Sequence, residues 1–179
     1  MHNNTSSWHP LPACGDAPLR RWLLDRGSLT RRIQLRCENF RLTLLAQQFA
    51  TIRADERAAL GLRAGAPCLE REVCLNCGLR PLVFAHSVVA PRALKGPWHM
   101  LAGLGTRPLG AALFADPRIR RHPLRFRQLT GGHALYKRAC RLLDAPPATL
   151  WARRSLFVLC GAPLLVTEVF LPAILALAP

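Results

Sequence analysis

Cys68-Leu-Glu-Arg-Glu-Val-Cys-Leu75, then Asn76-Cys-Gly-Leu-Arg-Pro81, then Leu82-Val-Phe-Ala-His-Ser-Val-Val89 is the stretch on which the fold turns. Side chains alternate along a strand. Leu69, Arg71, Val73 and Leu75 therefore share one face, and Glu70, Glu72 and Cys74 share the other. The middle segment carries turn residues, and Leu82 to Val89 returns as a second strand, which makes a hairpin. Near the C-terminus, Trp151 to Leu159 and Leu164 to Leu171 repeat the pattern around a turn at Gly161 to Pro163. Leu156 to Pro179 holds a single charge, Glu168. Glycine and proline interrupt it too often for a spanning helix, which needs about 20 apolar residues in a row, so it reads as buried sheet.

Outward from these hairpins the pattern turns helical. Leu19 to Leu24 reads as a helix broken by Asp25-Arg26-Gly27, and Ser28 caps a second one through Leu29 to Leu35. Phe40 to Ile52 reads as strand. Asp55 to Leu62 reads as a short helix or turn, ended by Gly61 or by Gly65 to Pro67. Pro91 to Pro97 reads as a connection, Trp98 to Leu104 as one or two helical turns, and Pro108 to Ala115 as a helix with Pro108 in its first position. Arg118 to Arg127 reads as irregular or part-strand, and Tyr136 to Leu142 as a short helix or strand. There is no repeat and no linker long enough to divide the chain. Residues 1–7 form a polar tail and residues 8–179 one domain. The fold class is α+β, a single domain with helices around an antiparallel β-sheet.

The chain has 179 residues and a hydrophobic half, enough for a sizeable core. Its 25 basic residues against 10 acidic ones give a net charge of +15. Only Lys95 and Lys137 are lysines, so arginine carries the excess. Such an excess points to an anionic partner: nucleic acid, a membrane surface or an acidic small molecule. The run Arg118, Arg120, Arg121, Arg125, Arg127 could contact phosphates, but reads more readily as a solvated charged face. No apolar run flanked by positive charge occupies the first twenty residues, which argues against a secretory signal. Seven cysteines without such a signal read as reduced thiols. Cys74-Leu-Asn-Cys77 has metal-knuckle spacing, but zinc takes about four ligands and no second close pair follows. Phosphate-loop, His-Glu-x-x-His and Gly-x-Ser-x-Gly patterns are absent. Gly103-Leu-Gly105 starts like a dinucleotide fingerprint, but Pro108 replaces the third glycine. The histidines show no metal-ligand spacing, and His86, on the face of Phe84 and Val88, reads as a hydrogen-bonded core residue.

Two charges stand out. Arg71 lies on the face of Leu69, Val73 and Leu75, and Glu168 on that of Val166 and Phe170. On inward faces both would need partners, because an unpaired buried charge costs several kcal/mol. They could pair with core groups, or line a cavity and meet a ligand there. Leu29 and Leu109 follow two helix starts, where a backbone N–H has no partner in its own helix and favours an anion.

Trp22-Leu-Leu-Asp25, Gly27-Ser-Leu-Thr-Arg31, Arg71-Glu-Val, Gly105-Thr-Arg-Pro-Leu-Gly110, Trp151-Ala-Arg-Arg-Ser155 and Leu165-Val-Thr-Glu-Val-Phe-Leu-Pro172 occur in this order. As a set they resemble the chorismate pyruvate-lyase family, which begins ubiquinone synthesis in bacteria, from about Trp8 to the C-terminus. The resemblance implies helical flaps over a closed internal site and a monomer that needs no metal or cofactor, while a cytoplasmic location rests on the reduced cysteines and the missing signal. It implies conversion of chorismate to 4-hydroxybenzoate and pyruvate. It assigns Arg71 to the ring carboxylate, with help from the backbone of Leu29 and Leu109, and Glu168 to the ring hydroxyl and to proton transfer. Leu29 stands where some members have Met, and His86 near where some have arginine. Effector domains of some transcription regulators resemble the same fold and bind small molecules without reaction. They follow a DNA-binding domain, whereas only about twenty residues precede the matched core here. A nucleic-acid-binding protein would rest on charge alone, since no aromatic-studded basic strand is present.

Overall fold

A computed structural model of the chain describes residues 7–177. Apart from Ser7, the polar tail lies outside the described residues. One antiparallel sheet organises the rest. Its strands are β1 (Phe40–Thr51), β2 (Pro67–Cys77), β3 (Arg80–Val89), β4 (Arg120–Arg121), β5 (Arg125–Leu129), β6 (Leu150–Leu159) and β7 (Ala162–Phe170). The order is β1-β2-β3-β7-β6-β4, with β5 also paired to β6. The two hairpins of the sequence, β2–β3 and β6–β7, meet at the β3–β7 pairing and form the middle of the sheet. Cys160 and Gly161 both have positive φ in the second hairpin's turn, 49° and 76°, as a tight two-residue connection requires.

The helices are α1 (Ala17–Leu24), α2 (Leu29–Gln34), α3 (Ala54–Leu60), α4 (Pro91–Leu94), α5 (Leu109–Ala115) and α6 (Ala134–Cys140). Ser28 caps α2 by accepting from the N–H of Arg31. Gly61, left-handed at φ 64°, ends α3. Pro91 begins a helical turn where a plain connection was expected, because its fixed φ suits a first helical position. Pro108 precedes α5 by one residue: its ψ of 124° is extended, so Leu109 is the first helical residue.

Strand alternation sorts the molecule into two layers. One sheet face packs on α1, α2, α4, α5 and the 3-10 turns at His99–Leu101 and Pro172–Ala176, through two apolar clusters built around Trp22 and Trp98. The other packs on α3 and α6 around Phe84, Val88 and Leu165. β2 is covered on both sides, so Glu70 and Glu72, which alternation places away from Arg71, are buried as well. The cysteine expectation needs a correction. Cys37 and Cys77 form a disulfide with Cα atoms 5.8 Å apart, and Cys14, Cys68, Cys74, Cys140 and Cys160 are free. The pairing follows from register: Phe40 lies opposite Cys77, so the residues entering β1 pass the end of β2. Cys74, on the other face, does not join Cys77 as a metal knuckle.

Candidate active site

The register sets two adjacent rows of side chains on the face under α2 and α5. Arg71 of β2 lies beside Ser87 of β3, then Val166 of β7, then Ser155 of β6. The next row runs Val73, Ala85, Glu168, Arg153. Neighbouring strands are about 4.8 Å apart, so the backbones that carry Arg71 and Glu168 are ~10 Å apart across β3. Above these rows is a cavity. Its walls are largely apolar, from Leu42, Val73, Leu75, Phe157 and Val166 on the sheet and from Leu29, Leu109, Leu113 and Phe114 on the cover. Arg71, Arg121 and Glu168 are its charged lining. All four residues expected at a site, Arg71, Glu168, Leu29 and Leu109, therefore face one space.

Arg71 is only 3% exposed. Its Nη2 donates to the carbonyls of Gly105 at 2.8 Å and Arg107 at 3.2 Å, in the turn leading to α5. Its Nε is buried without a hydrogen-bond partner. Among the described residues no carboxylate lies within ion-pair reach of it. Burial pulls its pKa below the usual arginine value, yet a guanidinium remains charged at neutral pH. The result is a fixed cation, held by neutral acceptors and lacking a counterion.

Glu168 is less buried than alternation implied, with 18% of its side chain exposed toward the cavity. Its Oε2 accepts from Nε of Arg153 at 2.5 Å. Arg153 is wholly buried, and its Nη1 donates to the carbonyls of Trp22, Leu23 and Asp25 at the end of α1. Arg71 and Glu168 are thus not each other's partners. Arg153, quoted in the Trp151-Ala-Arg-Arg-Ser155 motif but given no role there, holds the carboxylate. Its signal was its position, since strand alternation puts Arg153 inward with Ser155 and Phe157.

The cover is built for close approach. The Cβ of any residue replacing Gly110 would lie 3.2 Å from Oγ of Ser28 and 3.3 Å from Oγ1 of Thr30, so glycine lets α5 rest on the start of α2. Pro108 offers no side-chain acceptor, and α5 has no side-chain cap. The N–H groups of Leu29 and Leu109, each first in its helix, have no partner within that helix.

On the opposite face lies a second polar cluster that sequence spacing hid. His86 places Nε2 2.9 Å from Glu56, and Nδ1 3.1 Å from Glu72 and 3.5 Å from Glu70. Arg53 pairs with Glu56, and Arg138 of α6 pairs with both Glu70 and Glu72. The ligand atoms of Glu70, Glu72 and His86 lie within 4.8 Å of one another, a grouping produced by strand pairing and invisible to linear spacing. Arg138 neutralises the same carboxylates, so the cluster reads as a closed ion network. Among the described residues no helix is long and apolar enough to cross a membrane.

The fold is an α+β single domain shared with solved effector domains of transcription regulators. The effector domain of PhnF from Mycobacterium smegmatis superposes with a TM-score of 0.55 at 16% identity, covering 83% of this chain and 91% of that one. A GntR-family transcriptional regulator from Bacillus cereus gives 0.55 at 9% identity, over 75% and 92% of the chains. At these identities the likeness is one of fold alone. Sequence is more specific. Residues 9–177 match the chorismate lyase family. Proteins named probable chorismate pyruvate-lyase from Nitrosospira multiformis and Nitrosomonas europaea are 52% and 50% identical to this chain. The matches cover 97% and 96% of this chain, and 97% of each relative. The chain belongs to the chorismate lyase family.

Proposed function

We propose that the protein is a chorismate pyruvate-lyase, which eliminates pyruvate from chorismate to leave 4-hydroxybenzoate for ubiquinone synthesis. The observation that carries this reading is the charge arrangement in the cavity. Arg71 is buried without a carboxylate partner, and across apolar walls stands Glu168, already held in place by Arg153. A flat, partly unsaturated ring with a carboxylate at one end and a hydroxyl at the other suits that spacing.

The elimination is redox-neutral. The ring carbon bearing the hydroxyl loses its proton, and the C–H electrons become the last double bond of an aromatic ring. The neighbouring carbon loses its ether oxygen, whose bond pair leaves with the enolpyruvyl group. That group gains a proton on its methylene carbon and becomes pyruvate. Aromatisation supplies driving force, so the protein's task is to position and polarise. Arg71, with the N–H groups of Leu29 and Leu109, binds the ring carboxylate. Glu168 accepts a hydrogen bond from the ring hydroxyl and assists the proton transfer. The apolar lining excludes water. Residues 8–179 act as one domain, and the enzyme works as a cytoplasmic monomer without a metal or cofactor.

Purified protein given chorismate alone is expected to release pyruvate and 4-hydroxybenzoate in equal amounts. Glu168→Ala should lower kcat by roughly 10²–10⁴-fold, the usual contribution of a positioned acid–base group. Arg71→Ala should act mainly on KM, raising it on the order of 100-fold, as expected when one member of a buried charge pair is lost. Full activity in both variants would refute the site assignment. Tight 4-hydroxybenzoate binding without pyruvate release would mark a binding module instead.

A further inference from the structure

Arg121 lies in the basic run that reads as a solvated face, yet its side chain turns inward and lines the cavity. Its Nε donates to Oγ of Ser155 at 2.9 Å, and its Nη1 to the carbonyl of Arg26 at 2.6 Å. Its guanidinium carbon lies 5.4 Å from the ring centre of Phe114 and 5.3 Å from that of Phe157. Hydroxyl, carbonyl and aromatic faces hold a cation without neutralising it. Among the described residues no carboxylate lies within ion-pair distance of Arg121, and Glu168, paired with Arg153, and Asp25, paired with Arg32, act on it electrostatically from farther away. The cavity lining thus holds Arg71 and Arg121 against one carboxylate, Glu168, which Arg153 already pairs, so neither lining arginine has a counterion of its own.

We infer that Arg121 binds a second carboxylate, that of the enolpyruvyl group, and so fixes the leaving group. This rests on the lyase reading above. The substrate's two carboxylates are far apart: one ends the ring, while the other hangs from the ether beside the hydroxyl at the opposite end. With the ring carboxylate on Arg71 and the hydroxyl on Glu168, the second carboxylate falls at the Glu168 end. Ser155, which anchors Arg121, ends the row that Arg71 begins, with Ser87 and Val166 between them. Arg121 is thus the uncompensated cation at the required end. Arg153 is nearer to Glu168 but is occupied by it and by three carbonyls. Arg121 is accordingly a specificity residue: it separates the dicarboxylate substrate from the monocarboxylate aromatic product.

The test compares chorismate with 4-hydroxybenzoate. Calorimetric Kd values for both are measured in Glu168→Gln protein, with and without Arg121→Gln, alongside steady-state KM in the otherwise native enzyme. Arg121→Gln is expected to weaken chorismate binding and raise KM on the order of 100-fold, and to change the 4-hydroxybenzoate Kd less than about 3-fold, within the scatter of a neutral substitution. Arg121→Lys keeps the charge but not the two-donor fork and should fall between; it also serves if the glutamine variant folds poorly by thermal melting. Equal weakening toward both ligands, or unchanged chorismate affinity in folded variants, overturns the inference. Absence of turnover in native protein would overturn the lyase reading alone, since the binding comparison still judges Arg121.

Discussion

His86 shows how much a single residue can decide. Both of its ring nitrogens face carboxylates, Nε2 toward Glu56 and Nδ1 toward Glu72 and Glu70. Only an imidazolium can donate from both nitrogens. Burial works against that charge, but the pairing of His86 with the Glu56 and Glu72 carboxylates outweighs it, and the His86 pKa lies above its ordinary value. Burial likewise raises the Glu56 and Glu72 pKa values, and pairing with His86, joined by Arg53 at Glu56 and Arg138 at Glu72, more than reverses it, so both end below their usual values. The contribution of His86 to stability is therefore complete below about pH 6.5, its unfolded pKa, and is lost as pH rises through its folded value. The glutamates contribute above about pH 4.3 and lose that as pH falls through their lowered folded values. Melting temperature is expected to decline on the alkaline side in the native protein. A His86→Gln variant should be less stable near neutrality and lack that decline. A native profile flat from neutral to alkaline pH would contradict the doubly ion-paired cation.

At the scale of elements, Arg153 ties α1 to the sheet. It reaches from β6 to three carbonyls at the end of α1 while holding Glu168 of β7. Arg153→Met is expected to cost about 3–5 kcal/mol, since it leaves a carboxylate unpaired and carbonyls unsatisfied. Chemical denaturation measures this; a loss below ~1 kcal/mol would show that the clamp is redundant. The elements themselves were largely legible. Alternation located β2, β3, β6 and β7, and Ser28 and Gly61 marked helix ends, because those signals are local. What escaped was set by pairing between distant segments. Glu70 and Glu72 are buried because α3 and α6 cover their face, Cys37 met Cys77 only through β1–β2 register, and Arg121 was drawn inward by Ser155 and Arg26. Arg71 and Glu168 were visible because a charge amid an apolar alternation is itself a local anomaly.

For the molecule as a whole, the arginine excess takes on a kinetic meaning. A surface of net charge +15 draws in a dianion, and that attraction is screened by salt. Between about 0.01 M and 0.15 M ionic strength the Debye length shrinks from ~30 Å to ~8 Å. The value of kcat/KM for chorismate should fall several-fold over that range while kcat stays nearly constant. A salt-independent kcat/KM would show that capture is not steered. The architecture also links entry to readiness. Arg71 is held by the carbonyls of Gly105 and Arg107, which belong to the strap that carries α5 over the cavity. The roof and the grip are one mechanical part. Any displacement that lifted the strap would take two acceptors from the arginine, so opening the roof and loosening the grip would be one event.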